Sequence, residues 1–180
     1  MSETQHLSVE TLPDYAPEIG RWLWALEDTR RMTKDSLTNT DQSVLDWIPP
    51  QGGNSIGTLL YHITAIELDW LYTEVLEGRQ LWTQEIEELF PFDVRDDQGR
   101  LTVVRGVPLA DHVHRLDIVR EHLLASFRGM TLQEFRRLRS FPTYSVTPEW
   151  VLHHLIQHEA DHRGHIEMLR SWAEQVPGPQ

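Results

Sequence analysis

The chain has 180 residues, a formal net charge of -12 and no cysteine. This length predicts a single domain with a sizeable core, and the lack of cysteine excludes disulfides, thiolate metal ligands and cysteine nucleophiles. The acidic balance argues against nonspecific binding to nucleic acid or to anionic lipid, because both need clustered Lys and Arg.

The first predicted helix covers about residues 16–37. Pro13 and Pro17 mark its entry, since proline is tolerated in a first helical turn. One side of this helix carries Ile19, Leu23, Leu26, Arg30 and Thr33.

The second predicted helix covers about residues 54–77 and follows a proline- and glycine-rich breaker at 49–53. Asn54 or Ser55 is its expected cap, and Gly78 closes it. Its apolar stripe is made of Ile56, Leu59, Ile63, Ile66 and Trp70, with His62 on the same side.

The connection 78–108 has weak periodicity. We expect a short helix within 81–89, a turn at 96–99 and an extended stretch at 101–104. The third long helix is predicted at about 109–127.

The fourth predicted helix covers about residues 147–174. Thr147 as cap, Pro148 in the first turn and Glu149 behind it form a strong start signal. The irregular stretch before it contains residues 141–144, which are expected to be extended.

Four long helices with polar outer faces predict an all-α four-helix bundle in one domain. The long connection between helices two and three can carry the chain back along the bundle and leave those two helices parallel. The expected arrangement is therefore up-down-down-up.

Two histidines on the fourth helix, His158 and His162, are four residues apart and so share one face. They sit in a broad apolar stripe, where several histidines are costly unless each ring nitrogen has a partner. A metal ion would provide such a partner, because it binds one nitrogen of each ring. Hydrogen-bonded core histidines are the alternative interpretation.

His62 is the expected third ligand, because it lies on the buried side of the second helix. His154 and His165 are alternatives, but three imidazoles on successive turns of one helix cannot converge on one ion, since each turn adds about 5.4 Å. We expect these two to support the ligands or line a pocket. Among the remaining histidines, His114 and His122 are weaker candidates that could face inward. No role is assigned to His112. His6 and His153 are expected to be exposed.

Other residues around the histidines have less distinctive signals. Gly164 inside a helix suggests close approach of another backbone. Arg163 and Glu159 are expected to point outward or to the rim. The seven tryptophans include several that can line a pocket as well as fill a core.

Two blocks, 59–63 with Trp70 and 154–166, resemble the DinB/YfiT-like superfamily of metal-dependent enzymes. The resemblance implies an up-down-down-up bundle, frequent homodimers and a divalent ion bound by His62, His158 and His162. His165 departs from the pattern, because relatives commonly have glutamine at that position.

A metal-dependent hydrolase acting on a small molecule is the first functional hypothesis. Three neutral imidazoles would leave zinc or nickel, or alternatively iron or manganese, with an open position. The candidate general bases are Glu67, Asp69 and Glu159.

A thiol S-transferase or isomerase is the second hypothesis, and it comes from the family resemblance. Relatives use a low-molecular-weight bacterial thiol, which needs no protein base once it is bound as thiolate. Arg21, Arg30 and Arg31 could hold such a cofactor, although surface charges are the preferred interpretation.

A metal-stabilised binding protein of the stress response is the third hypothesis, with His154 or His165 as fourth ligand. In every case we expect a cytoplasmic protein. No apolar run approaches the roughly 18 residues of a membrane span, and residues 1–12 lack the order of a signal peptide.

Overall fold

The computed structural model describes residues 7–80 and 82–175, and four long helices form its frame. In these ranges, short helices, a π-helical segment and a small hairpin complete the fold. In chain order the elements are α1 (Pro17–Ser36), α2 (Gln42–Leu45), α3 (Ile56–Trp70), the π-helical segment (Leu71–Val75), α4 (Gln84–Leu89), α5 (Leu109–Phe127), α6 (Leu132–Phe135), β1 (Arg139–Ser140), β2 (Ser145–Val146) and α7 (Pro148–Ala173).

The ends of the long helices follow the capping residues in the sequence. Thr147 accepts a hydrogen bond from the backbone N–H of Trp150, and Ser55 accepts one from that of Thr58, so both predicted helix starts are confirmed. The second predicted helix continues beyond α3 as the π-helical segment. Gly78, with a φ of 65°, follows its end.

The two irregular connections differ in detail from the prediction. The short helix expected within 81–89 is α4, and Leu81 itself lies outside the described residues. The stretch expected to be extended at 101–104 contributes only an isolated bridge between Leu101 and Arg95. The stretch at 141–144 is the turn that joins β1 to the antiparallel β2.

Contacts near both ends of α7 establish that it runs parallel to α1. Near the start of both helices, the indole N–H of Trp22 donates a hydrogen bond to Glu149. Near their ends, the guanidinium of Arg170 donates to the backbone oxygen of Ser36. The first and last long helices therefore point in the same direction.

The helix α3 runs the opposite way. Its middle residue His62 lies against His158, with ring centroids 5.0 Å apart. Its last residue Trp70 lies against Trp150 near the start of α7, with ring centroids 5.5 Å apart. These contacts make α3 antiparallel to α7.

The helix α5 is antiparallel to α1. The hydroxyl of Tyr15, just before α1, donates to the backbone oxygen of Leu124 late in α5. Lys34, late in α1, pairs with Asp117 earlier in α5. With α3 and α5 both opposed to α1 and α7, the predicted up-down-down-up bundle is confirmed.

A buried ion network takes one charged side chain from each long helix: Arg30, Glu67, Arg120 and Glu159. The guanidinium of Arg30 lies 2.6 Å from the Glu67 carboxylate and 2.7 Å from that of Glu159. The guanidinium of Arg120 lies 2.7 and 3.1 Å from the same two carboxylates. We call these four residues the ion tetrad, and each side chain is at most 4% exposed.

The ion tetrad balances its own charge. Its remaining guanidinium N–H groups donate to the backbone oxygens of Leu116 and Leu26 and to the half-exposed carboxylate of Glu27. Burial alone would raise the pKa of Glu67, but the positive charges of Arg120 and Arg30 outweigh it and hold that pKa below its usual value. Both carboxylates and both guanidiniums therefore have ionic partners within the core.

Two sequence-based expectations about this network were wrong. Glu159 was expected at the rim, yet it is 2% exposed. Arg30 was interpreted as a surface charge, although its position among buried residues of α1 already placed it on the inner side. Arginine and glutamate are rarely buried unless they are paired, and the partners come from other helices.

The ion tetrad lies at the boundary between two apolar clusters. The first cluster contains the early part of α1 and α7, and the second contains the early part of α3 and the late part of α7. Representative residues are Leu23, Leu26, Leu68, Leu123 and Leu152 in the first cluster, and Leu60, Ile63, Leu116 and Ile166 in the second.

Within the described ranges, none of the helices combines the length and the apolar character that a membrane crossing requires.

Replacing Arg30 by methionine should lower the free energy of unfolding by about 3–5 kcal/mol, because it leaves buried carboxylates without one partner. Urea denaturation followed by circular dichroism measures this loss. The adjacent Arg31, paired only on the surface, provides the control: Arg31→Met should cost less than about 1 kcal/mol. Equal losses in the two variants would contradict a special role for the buried network.

Candidate metal centre

Three histidines from two helices converge beside the ion tetrad. The helix α3 carries His62, and α7 carries His158 and His162 one turn apart. One ring nitrogen from each lies within 4.8 Å of the others. The Nε2 atoms of His62 and His158 are 3.2 Å apart, and the ring centroids are separated by 4.5 to 5.0 Å. The structure thus brings together the three residues singled out in the sequence.

The three rings fit a divalent metal ion. Two donors at about 2.0–2.1 Å from a tetrahedral zinc ion lie roughly 3.3 Å apart, close to the separation of the two Nε2 atoms. A direct hydrogen bond would join only two of the three rings, whereas one ion would contact a nitrogen of all three. His62 Nδ1 and His162 Nδ1 are buried and have no hydrogen-bond partner in the described part of the chain.

The surroundings keep these imidazoles neutral. Burial, then the nearby His162 and Arg95, lower the pKa of His62 to about 4. Burial and the neighbouring histidines lower the pKa of His158 to about 3. Burial and His165 also lower the pKa of His162. Neutral imidazole is the form that binds metal, so the donors are ready at neutral pH.

His154 and His165 lie on either side of the cluster along α7. The ring of His154 stacks on Trp150, at 5.2 Å and an interplanar angle of 9°, and lies 4.6 Å from Trp70. His165 is exposed, with its ring 5.6 Å from that of His162. It lines a small pocket of about 220 Å³ with the Gly52–Gly53 loop and the end of α7. Both positions agree with the expectation that these two histidines support the ligands or line a pocket.

The three carboxylates considered as general bases lie in different surroundings. Glu67 and Glu159 accept hydrogen bonds from the buried guanidiniums of the ion tetrad. Asp69 is exposed and accepts a hydrogen bond from Thr73. None of the three joins the cluster of ligand atoms found among the described residues.

The other histidines lie away from the cluster. His112 is 1% exposed, and its ring contacts Arg115. His114 is exposed, so the expectation that it could face inward was wrong, and His122 is half-buried. His153 is half-buried rather than exposed, with its ring edge-on to Trp22 at 6.0 Å. His6 lies outside the described residues.

Gly164 does not support a close backbone approach. It is exposed, and a Cβ added to it would meet open space. The expectation based on its low helix propensity was therefore wrong. Its neighbour Arg163 is half-buried and reaches toward Glu167, 3.9 Å away.

Sequence patterns missed two groups near the centre. Arg95 comes from the weakly periodic connection, which gave no signal that its charge would lie close enough to lower the pKa of His62. Trp150 and Tyr144 help to form a pocket beside α7. The number of tryptophans hinted at such a pocket without locating it.

The fold and the cluster define an all-α four-helix bundle with a three-histidine group that could hold a metal ion between α3 and α7. Residues 25–166 match the family model of the DinB superfamily, and the chain belongs to that superfamily. The resemblance noted in the sequence is thereby confirmed.

Two similar proteins support this assignment. The chain is 26% identical over 166 residues to the uncharacterized protein YkkA of Bacillus subtilis (strain 168), covering 91% of this chain and 93% of that protein. A crystal structure of a conserved protein from Enterococcus faecalis has a TM-score of 0.66, covering 90% of this chain and 99% of that one. At 14% identity, the second similarity shows the fold alone.

Removing a ligand should abolish stable metal binding. We expect His158→Ala and His162→Ala each to weaken binding of a divalent ion by at least about 100-fold, because even changes to groups that only orient a ligand cost about 10- to 100-fold. Elemental analysis after dialysis measures the retained metal. His153→Ala, on the same helix but packed against Trp22, should retain it. Equal retention in all three variants would contradict the ligand assignment.

Proposed function

We propose that this protein is a metal-dependent enzyme that hydrolyses a small molecule. The observation that carries the proposal is the convergence of His62, His158 and His162 from two helices. When bound, a divalent ion held by three neutral imidazoles keeps its charge and an open position, and it supplies Lewis-acid activation of water or of a substrate atom. Zinc or nickel suits this nitrogen donor set best, with iron or manganese as further options.

The protein contributes neutral donors on a rigid frame. His62 is 7% exposed and lies at the inner side of the cluster, whereas His158 and His162 are half-buried. The ion tetrad adjoins this cluster through Glu159, the residue after His158. It therefore holds α3 and α7 in the register that brings the rings together. A substrate would approach from the side on which the two α7 histidines are accessible.

The carboxylates argue against a dedicated general base. Glu67 and Glu159 bind guanidiniums on both oxygens, and Asp69 is on the surface. A proton from water would therefore pass to solvent or to a neighbouring imidazole. His154 and His165 are the nearest imidazoles outside the trio.

A thiol S-transferase is the second candidate, and the same occupied carboxylates favour it. A thiol that binds as thiolate needs no protein base. Of the arginines considered for holding a thiol cofactor, Arg30 is committed to the ion tetrad, while Arg21 and Arg31 are exposed on α1. Arg95, whose charge lowers the pKa of His62, is a better placed cation.

A purely structural metal has less support. His165 is exposed and His154 stacks on Trp150, so neither supplies a fourth donor as placed.

The homodimer and the cytoplasmic location stay predictions.

Metal dependence and thiol dependence distinguish the two enzymatic proposals. Metal-stripped protein should hydrolyse members of an ester and amide panel at least about 100-fold more slowly than protein to which zinc or nickel has been added back. His62→Ala should remain inactive after the same addition, whereas His153→Ala should recover.

Thermal unfolding with bacillithiol, mycothiol or glutathione provides the second arm of this experiment. Stabilisation that requires the metal, together with no hydrolysis, would favour the transferase. Neither hydrolysis nor thiol stabilisation in fully metal-loaded protein would contradict both enzymatic proposals.

A further inference from the structure

A second pocket, which we call the aromatic pocket, adjoins the histidine cluster. It has a volume of about 480 Å³ and lies between the end of α3, the β1–β2 hairpin and the start of α7. Its volume is within the range of small-molecule sites. Its lining residues are Trp70, Leu138, Tyr144, Ser145, Val146, Thr147 and Trp150.

We propose that the aromatic pocket binds an organic cation, specifically an ammonium group on a small organic body. Nothing in the histidine chemistry requires such a site, and the pocket's own composition carries the inference. Its use for the substrate's head group rests on the proposed function, whereas binding of the cation itself does not.

Three aromatic rings form the wall of the pocket. Trp70 lies between the other two, with its ring centroid 5.5 Å from that of Trp150 and 6.4 Å from that of Tyr144. The three rings are tilted by 43° and 50° rather than stacked on one another. Phe141 stacks on one face of Tyr144 and His154 on one face of Trp150, so a ligand would meet the opposite faces. Aromatic faces within about 6 Å attract alkylammonium groups through the ring quadrupole.

The rings also remain accessible where they would meet a ligand. Trp150 is 47% exposed and Tyr144 is 43% exposed, so solvent reaches both rings. Leu138 at the same mouth is 61% exposed. An apolar recess that is open to solvent and walled by aromatic rings favours a ligand with an apolar body.

The charge around the pocket disfavours an anion. None of its lining residues is basic. Behind Tyr144 lies Glu74, 4% exposed, whose carboxylate accepts the hydrogen bond of the Tyr144 hydroxyl. The second carboxylate oxygen of Glu74 is buried and has no partner among the described residues. Burial is the main cause that raises the pKa of Glu74, and the nearby charge of Asp69 raises it further.

The π-helical segment creates this arrangement. It begins right after Trp70 and contains Glu74, and the extra residue of a π turn shifts the side chains that follow it. The hydrogen bond to Glu74, then burial, raise the pKa of Tyr144 to about 12, so the hydroxyl stays a donor at neutral pH. Tyr144 therefore links the aromatic wall to the buried carboxyl group.

The pocket is about two helical turns, or roughly 12 Å, from the histidine cluster along α7, and His154 lies between them. Trp70 and Trp150 both pack against His154, whose ring centroid is 5.9 Å from that of His158. A ligand that seats its ammonium group among the tryptophans and extends past His154 reaches the cluster. The ammonium would orient the substrate without taking part in the chemistry.

Choline and its neutral isostere 3,3-dimethylbutan-1-ol test the proposal in metal-free protein. They have nearly the same shape and differ in charge, so the ratio of their dissociation constants isolates the cation. We expect choline to bind at least about tenfold more tightly, measured by calorimetry and by shifts of tryptophan indole signals in NMR spectra. Equal binding of the two, or no binding of choline, would overturn the inference. Tighter binding of the alcohol would indicate a neutral apolar ligand instead.

Matched variants locate the binding site. Trp150→Leu should lose the preference for choline, whereas Trp172→Leu, which removes another exposed tryptophan of α7, should keep it. Glu74→Gln should reduce the preference while it leaves the shape of the pocket intact. Because Trp150 is half exposed, its replacement should leave the circular dichroism spectrum unchanged. Retention of the preference in Trp150→Leu and Glu74→Gln would place any binding elsewhere and overturn the assignment.

The experiments on metal binding and the experiment on choline binding can give negative results independently of each other. Choline binding without metal binding would leave the aromatic pocket in place and remove the proposed hydrolase. Metal-dependent hydrolysis without choline binding would retain the enzyme and reject the cation site.

Discussion

The bundle is organised around the buried ion tetrad, in which Arg30, Glu67, Arg120 and Glu159 each come from a different long helix. Apolar packing tolerates small slips between helices, whereas a buried charge that loses its partner costs several kcal/mol. The network therefore restricts how the four helices can be aligned. It divides the core into two apolar clusters, and the helix register that it favours brings the three histidines together.

This arrangement also separates structural charge from chemical function. The carboxylates of Glu67 and Glu159, which are near the histidines in sequence, are used to neutralise guanidiniums. The site is thus a neutral imidazole cluster with an aromatic pocket at one side and a loop-lined pocket at the other. Because fold alone does not imply function, and YkkA is itself uncharacterized, the chemistry has to be argued from these side chains.

Some predictions from the sequence were wrong because they concerned contacts with segments far away in the chain. Helical periodicity placed Arg30 on the buried side of α1, but a lone buried arginine is rare, and the surface interpretation was preferred. Its partners Glu67 and Glu159 are 37 and 129 residues away. The prediction of a close backbone approach at Gly164 was wrong for a related reason. A glycine's low helix propensity does not indicate which segment, if any, lies against it.

The sequence by itself predicted the four long helices, a cap at Asn54 or Ser55 and another at Thr147, the direction of the helices and the pair His158 and His162. His62 was added from its place on a buried helix face and from the family resemblance. Periodicity, capping and connection length are local properties, and two histidines one turn apart share a face wherever the helix lies. Only the tertiary structure decided the partners of the buried charges, the proximity of Arg95 to His62 and the aromatic pocket. Those features depend on distances between segments far apart in the chain, and no local pattern encodes such distances.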